Sequence, residues 1–546
     1  MSMKRSVYSS CIFLLTAMAF LSCQDLYAPD SSSVVYEEKN TLQSASDSVW
    51  TMLGVWSEVS EVGERCLLMG ELRGDLMKTT DDAPACLQEL EAFNFDKADA
   101  KDVLAGLYAV VADCDYAIEH MDTSLLAYET KVMMPEFVQL KTWRAWAYWQ
   151  IALQAGAAVM DGTEVGQEAL AQRLIQDLQP YAAVRELDYG TIDGFASARL
   201  VLPVNMMIGD LYLFLNDYEK AAEAYMDVID RHGLYISESY TSRWIRTTRE
   251  EVAMSANDAY SGEMLTGLLY SSNPAGYHPQ LVRYTYNDVP ALVPSEAYVK
   301  QMDGAIHYHG ERNSHMVLGY FKGDLRGQAI TSKGTVSPGA YGRLTLNGKE
   351  KEYIYKYMLA TVSSSAGYDP QNKAIAGQLI FTRYIPVVRT PHVYLRLAEA
   401  LNRTNRPTMA FSVLKYGLNA STLNDTTKVN ASEVEFPYTV FANSRYDSNV
   451  GTASRGRGYG IRYDAEDYLI PELPSMADSV LFVEDCIVDE MAAETAFEGN
   501  RFFDLLRVAR HRNQMPEYMA EKVSQKYYDQ ASMKEKLADE SAWYVK

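Results

Sequence analysis

The sequence predicts a mostly α-helical fold, a tetratricopeptide-like scaffold of helix pairs with a loop-rich, irregular part set over it as the ligand-facing side. Three observations predict it. Apolar residues recur at helical spacing through most of residues 41–240. Two stretches, 203–229 and 390–419, each read as helix, short turn and second helix. Between about 241 and 385 the periodicity lapses, and Gly, Pro, Ser, Asn and Tyr become common.

In chain order, Lys4 and Arg5 precede an almost wholly apolar run, Cys11 to Leu21, which is too short to span a bilayer but suits a signal-peptide core. It ends in Phe20-Leu21-Ser22-Cys23, which resembles a lipobox, with Phe20 where a small aliphatic residue is more usual. A small residue before the cysteine lets the peptidase close over the backbone once the thiol carries its diacylglyceryl group. Residues 1–22 therefore read as a lipoprotein signal peptide. Residues 23–40, polar and carrying Ser31 to Ser33, read as a tether lipidated at Cys23. Several acyl chains make such anchoring stable where one chain is marginal. No other segment approaches eighteen apolar residues, so the body is expected to be held at a membrane without crossing it.

Residues 41–240 form the first helical region. Leu140, Trp143, Ala147 and Ile151 predict one apolar face within Phe137–Ala155. Val204, Ile208, Leu211 and Leu215 line one helix, Asn216-Asp217 makes a turn, and Tyr218, Ala221, Ala222, Tyr225 and Val228 line the next. The alanines allow close approach of the two helices. Residues 241–385 predict long loops with short strands, the kind of segment that carries binding on a rigid scaffold. Residues 386–546 return to helix: Tyr394, Leu397, Ala398 and Leu401 precede Ala410, Val413, Leu414 and Leu418, and a later helix starts near Ser479. A chain of 546 residues exceeds one ordinary hydrophobic core, so two lobes or a repeat-built body is expected.

The formal charge of −22 excludes nucleic acid as a natural partner, because neutralising phosphates needs a basic field. Loss of residues 1–22 removes Lys4 and Arg5 but no acid, so the mature chain is more acidic still. With Cys11 removed and Cys23 acylated, cysteines remain at 66, 86, 114 and 486; they match no zinc spacing and read as scattered thiols. The 39 tyrosines offer flat apolar faces with polar tips, suited to sugars or to a partner protein, although most would sit half-buried on helices.

Glu490, Glu494 and Glu498 fall at i, i+4 and i+8, a spacing that raises paired-carboxylate glycoside hydrolysis. Arg501, Asp504 and Arg507 follow within a turn or two, and a structural ion network is the expected outcome. His307 and His309 would share a strand face but lack a third metal ligand. Gly456-Arg457-Gly458-Tyr459-Gly460 is followed by neither a helical pattern nor an acidic partner, so it is not read as a nucleotide loop. No G-x-S-x-G, H-E-x-x-H or Walker sequence occurs. Neither catalytic residues nor a metal or cofactor is expected.

Three passages in order carry a family resemblance. Gly70-Glu71-Leu72-Arg73-Gly74-Asp75 is followed by Leu107 to Asp115 and Trp143-Arg144-Ala145-Trp146-Ala147-Tyr148. Next come Ile385-Pro386-Val387-Val388-Arg389-Thr390 and Tyr394 to Asn402, then Phe497-Glu498-Gly499-Asn500-Arg501-Phe502-Phe503-Asp504-Leu505-Leu506-Arg507. Smaller echoes are Pro294-Ser295 and Asp324-Leu325-Arg326. Together with the lipobox they resemble the SusD/RagB family of outer-membrane nutrient-binding lipoproteins of the Bacteroidota. The resemblance implies a lipid-anchored protein on the extracellular face of the outer membrane, acting as the lid of a SusC-like TonB-dependent transporter. Its cargo would be an oligosaccharide or, in some branches, a peptide, and it would not catalyse. Most motif residues would be architectural. Arg73 and Asp75 are the exception, expected to reach the ligand because acids near this motif do so in some members. For stacking, Tyr270, Tyr277, His278 and Tyr284 cluster around Asn273-Pro274, and Phe93 and Phe95 follow the Arg73–Asp75 segment.

Overall fold

The computed structural model describes residues 45–236, 263–270, 279–285, 289–357 and 384–546, apart from 125, 128–129, 132, 193–194, 312–315, 331–335, 347, 459 and 465–466. The signal segment, Cys23 and the tether lie outside the described residues, as do Tyr277 and His278.

The helices follow the apolar periodicity and stop where the backbone supplies a cap. The first three long ones are α1 (Ala45–Leu72), α2 (Ala100–His120) and α3 (Met134–Ala155). Pro135 opens α3, and Gly156, at φ 82°, ends it in the left-handed conformation that glycine takes without steric cost. Next come α4 (Gln167–Leu178), α5 (Val204–Phe214) and α6 (Tyr218–His232). Asn216, at φ 62°, turns the chain between α5 and α6, where the sequence places the turn. Then follow α7 (Glu296–Gly304), α8 (Thr390–Arg403) and α9 (Pro407–Lys415). The carboxy-terminal group is α10 (Met476–Thr495), α11 (Arg501–His511), α12 (Glu517–Ser524) and α13 (Gln530–Leu537).

Each helix packs on the next from α1 through α6, and α6 then packs on α8, which lies against both α9 and α10. The two helix pairs read in the sequence are therefore neighbours in one stack. Their apolar faces join one hydrophobic core that runs from Met52 to Val545. Helix α3 departs from the expected single apolar face, because it is buried on nearly every side between α1, α2, α4 and α5. Its polar residues are accommodated individually. The Gln139 amide donates to Leu202 O at 3.0 Å and accepts from Leu202 N at 3.1 Å, and Lys141 meets Asp177 at 2.6 Å.

Among the described residues the strands pair only in twos, all antiparallel. Strand β1 (Met77–Thr79) anticipates its partner across more than two hundred residues. After β2 (Met264–Leu269) comes β3 (Leu292–Pro294), which pairs with β1. A hairpin of β4 (Ile306–Glu311) and β5 (Met316–Lys322) follows, then a second of β6 (Tyr341–Leu346) and β7 (Lys349–Ile354). Finally β8 (Tyr384–Arg389) pairs with β2 and leads straight into α8. The segment expected as loops and short strands thus also holds α7, capped by Ser295, whose hydroxyl accepts from Tyr298 N at 3.1 Å. No helix among the described residues is long and apolar enough to cross a membrane.

Candidate binding grooves and a buried charge network

The three glutamates singled out in the sequence enter an ion network, but not with the partners expected. Helix α10 ends at Thr495, so Glu498 lies beyond it. Arg326 reaches Glu490 at 2.6 Å and Glu494 at 3.1 Å, and it also pairs with Asp324 at 2.8 Å. Arg389 holds Glu498 through Nε and Nη2, both at 2.8 Å, and approaches Glu494 at 3.3 Å. Arg455 adds a contact to Glu494 at 3.1 Å and pairs with Glu263, while Lys356 pairs with Glu498. Burial alone would push the carboxyls of Glu490, Glu494 and Glu498 up. For Glu494, burial is outweighed by Arg455, Arg389 and Arg326, which bring it down to about 2. For Glu490, burial prevails against Arg326 and the net shift is upward.

Arg501 and Arg507, expected to serve these glutamates, are committed elsewhere. Arg501 forms a bidentate pair with Asp75, at 2.5 and 2.8 Å, and Arg507 binds Glu399 at 2.7 Å and Asp504 at 2.8 Å. The passages that carried the family resemblance are thus one another's partners. Glu71 accepts N–H bonds from Phe497 at 3.1 Å and Gly499 at 2.8 Å, Asp75 meets Arg501, and Arg389 meets Glu498. Gly456, in the rejected nucleotide-loop sequence, belongs to the same core: a Cβ there would lie 1.9 Å from Asp324 Oδ1. Tight packing, not phosphate binding, accounts for that glycine.

The residues expected at a ligand surface are placed mostly inside. Arg73 is fully buried, donating to Met69 O and Trp543 O, each at 2.8 Å, and to Gln154, with its guanidinium 4.3 Å from the Phe502 ring centroid. It therefore serves as a strut between α1 and the carboxy-terminal segment, which corrects its placement at the surface. Asp75 is also buried; burial raises its carboxyl, but Arg501 outweighs this and the net shift is downward. Tyr270 is buried with its hydroxyl donating to Ser60 O at 3.0 Å, and Tyr284 is half-buried against the core. The Phe93 and Phe95 rings are buried edge to face, 6.0 Å apart.

Three recesses adjoin these elements. One, of about 120 Å³, lies between α1, α3, α5 and α11 and is lined by Trp146, Trp149, Met206 and Phe503 with Asp210 and Arg507. It is smaller than the roughly 300–1,000 Å³ of ordinary ligand sites. The second, about 420 Å³, runs between residues 93–97 and the carboxy terminus, with Asn94, Lys97, Lys536, Ser541 and Tyr544 on its walls. Phe93 and Phe95 are among the residues that line it. Phe93 itself takes φ 58°, a left-handed conformation unusual for a bulky residue. The third, about 470 Å³, lies between α4 and the α5–α6 turn. Nothing in the sequence marked it, because it mixes polar residues such as Glu168, Gln172 and Asp217 with Ile175, Tyr212, Phe214 and Leu215, brought together from separate helices. Among the described residues, no cluster of three or more His, Cys, Asp or Glu is arranged to hold a metal ion, and Cys66, Cys86, Cys114 and Cys486 are free thiols.

The described body is a stack of helix pairs with recesses on its surface, and its clustered carboxylates are bound to arginine and lysine. Residues 331–544 match the model of the SusD family, and the described chain around them has the fold of the solved structures it superposes on. A SusD homolog from Bacteroides thetaiotaomicron superposes with a TM-score of 0.55 at 13% identity, over 91% of this chain and 93% of that one. A SusD superfamily protein from the same species gives 0.52 at 17% identity, over 86% and 91%. B. fragilis NanU gives 0.50 at 14% identity, over 89% and 93%. At such identities the likeness is one of fold. Among curated protein sequences, none matches this chain.

Proposed function

We propose that this protein is a cell-surface lipoprotein that captures oligosaccharides and delivers them to a TonB-dependent outer-membrane transporter as its lid. The observation that carries binding over catalysis is the state of Glu490, Glu494 and Glu498. All three are buried and held by Arg326, Arg389 and Arg455, so none is free to protonate or attack a glycosidic bond. The family match over residues 331–544 supports the nutrient-binding role, and the lipobox at Cys23 supports anchoring at the outer face.

The groove between residues 93–97 and the carboxy terminus is the capture site in this reading. Its size suits one or two sugar rings, and on its exposed rim the Lys97 ammonium, 3.8 Å from Glu89, and the Ser541 hydroxyl, already bonded to Asp539, keep further hydrogen-bonding capacity for a sugar hydroxyl. Isothermal titration of the mature protein against a panel of oligosaccharides and mixed peptides tests it. Saturable heat with an oligosaccharide, weakened about tenfold by Lys97→Ala with Ser541→Ala, is the expected result. Saturable peptide binding with no saccharide heat would replace this cargo with peptide. Co-purification of a TonB-dependent transporter with the membrane-anchored protein tests the partner.

A further inference from the structure

The cleft between α4 and the α5–α6 turn has a chemistry of its own. Glu168, Gln172 and Gln176 stand one turn apart on the α4 wall, Asp217 and Lys220 stand opposite, and Arg510 closes an end. Its charges cancel in pairs: Arg510 Nη2 lies 2.9 Å from Glu168, and Lys220 lies 2.6 Å from Asp217. The cleft therefore exerts little net pull on an ion. A cation already stands by each of its rings, with Lys220 Nζ 5.1 Å from the Tyr212 centroid and Arg510 Cζ 4.2 Å from that of Phe214, and competes for stacking there. Stacking is not what it offers. What it does offer is the amides of Gln172 and Gln176, which make no hydrogen bond to the described residues and together present donors and acceptors on one helix face. Both walls are helical, so no strand edge is available to add a peptide backbone.

We propose that this cleft is a second binding site, for a neutral polyhydroxylated ligand of one or two sugar rings, recognised by hydrogen bonds from Gln172 and Gln176. Its volume of about 470 Å³ accommodates such a ligand. The proposal rests on the reading of the protein as a saccharide binder, but on different residues from the capture groove. Recognition without stacking predicts weak, additive binding, sensitive to the amides and indifferent to ionic strength.

The test is titration of the full mature protein, by calorimetry or saturation-transfer NMR, with maltose, cellobiose and lactose, and with glucuronate, glucosamine and a neutral tripeptide as counter-probes. The double variant Gln172→Ala with Gln176→Ala changes two exposed helix positions to a strong helix former, and circular dichroism checks its fold. The expected result is a loss of tenfold or more in affinity for at least one neutral disaccharide, while Lys97→Ala with Ser541→Ala retains that binding. Unchanged affinity in the double variant for every disaccharide bound by wild type would overturn the site. So would tighter binding of glucuronate or glucosamine there, or a tripeptide signal that the double variant abolishes. If wild type binds longer oligosaccharides but no disaccharide, the second site falls and the capture groove stands. If no saccharide binds at all, both readings fall.

Discussion

Glu494 has no exposed surface and lies within ion-pair distance of Arg326, Arg389 and Arg455. Glu494→Gln keeps the shape but leaves those three cations short of a counter-charge. Loss of one member from such a buried network typically costs about 3–5 kcal/mol. Urea denaturation should show this loss with little change in m-value. The same groups set an acid limit. The Glu494 carboxyl is held down to about 2 from an ordinary 4.5, so its contribution is complete above pH 4.5 and disappears as pH falls toward 2. His392, buried beside Arg389, is pulled down to about 3 from 6.5. It stays neutral in the fold while the unfolded chain protonates, so stability begins to fall as pH drops below about 6.5. Urea midpoints measured from pH 7 to pH 3 should decline first below about 6.5, through His392, and then further below 4.5, through Glu494; a flat profile would contradict the geometry.

At the scale of elements, close approach decides what local propensity cannot. Gly70 lies in the last two turns of α1, where alanine is ordinarily better by about 1 kcal/mol. Here a Cβ would fall 1.8 Å from the Gly499 carbonyl oxygen, a backbone atom that cannot swing aside. Gly70→Ala is therefore expected to destabilise by about 2 kcal/mol or more, read as a lowered melting temperature. Equal or greater stability would mean that α1 and the turn after α10 are not in contact as described. The helix pairs themselves were legible from spacing alone, since α5–α6 and α8–α9 fall where apolar periodicity and the Asn216-Asp217 turn put them. The polar burial of α3 was not, because one helix's sequence does not reveal that four others surround it.

For the whole molecule, anchoring and binding are assigned to different parts. Cys23, the proposed lipid-attachment residue, lies outside the described residues, while both grooves are built from the folded body. Cys23→Ala should release the protein from the cell surface, measured by fractionation, and leave saccharide affinity of the purified protein unchanged. A variant that stays at the surface, or loses affinity, would break that division.

By itself the sequence determined the helical class, the two helix pairs and the family resemblance, and it carries the motifs on which the proposed export and lipid anchoring rest. Those are written in short-range spacing or in contiguous motifs, which one strand of text displays directly. Only the tertiary structure decided what the motif charges do. Arg73 and Asp75 read as surface groups but fold inward, because their partners, Trp543 and Arg501, stand more than four hundred residues away. Glu490, Glu494 and Glu498 read as partners of the arginines just after them, yet are held by Arg326, Arg389 and Arg455 from three distant segments. Coulomb attraction acts through space and leaves no period along the chain, so ion pairing, and with it the line between strut and binding group, emerges only when the helices are stacked.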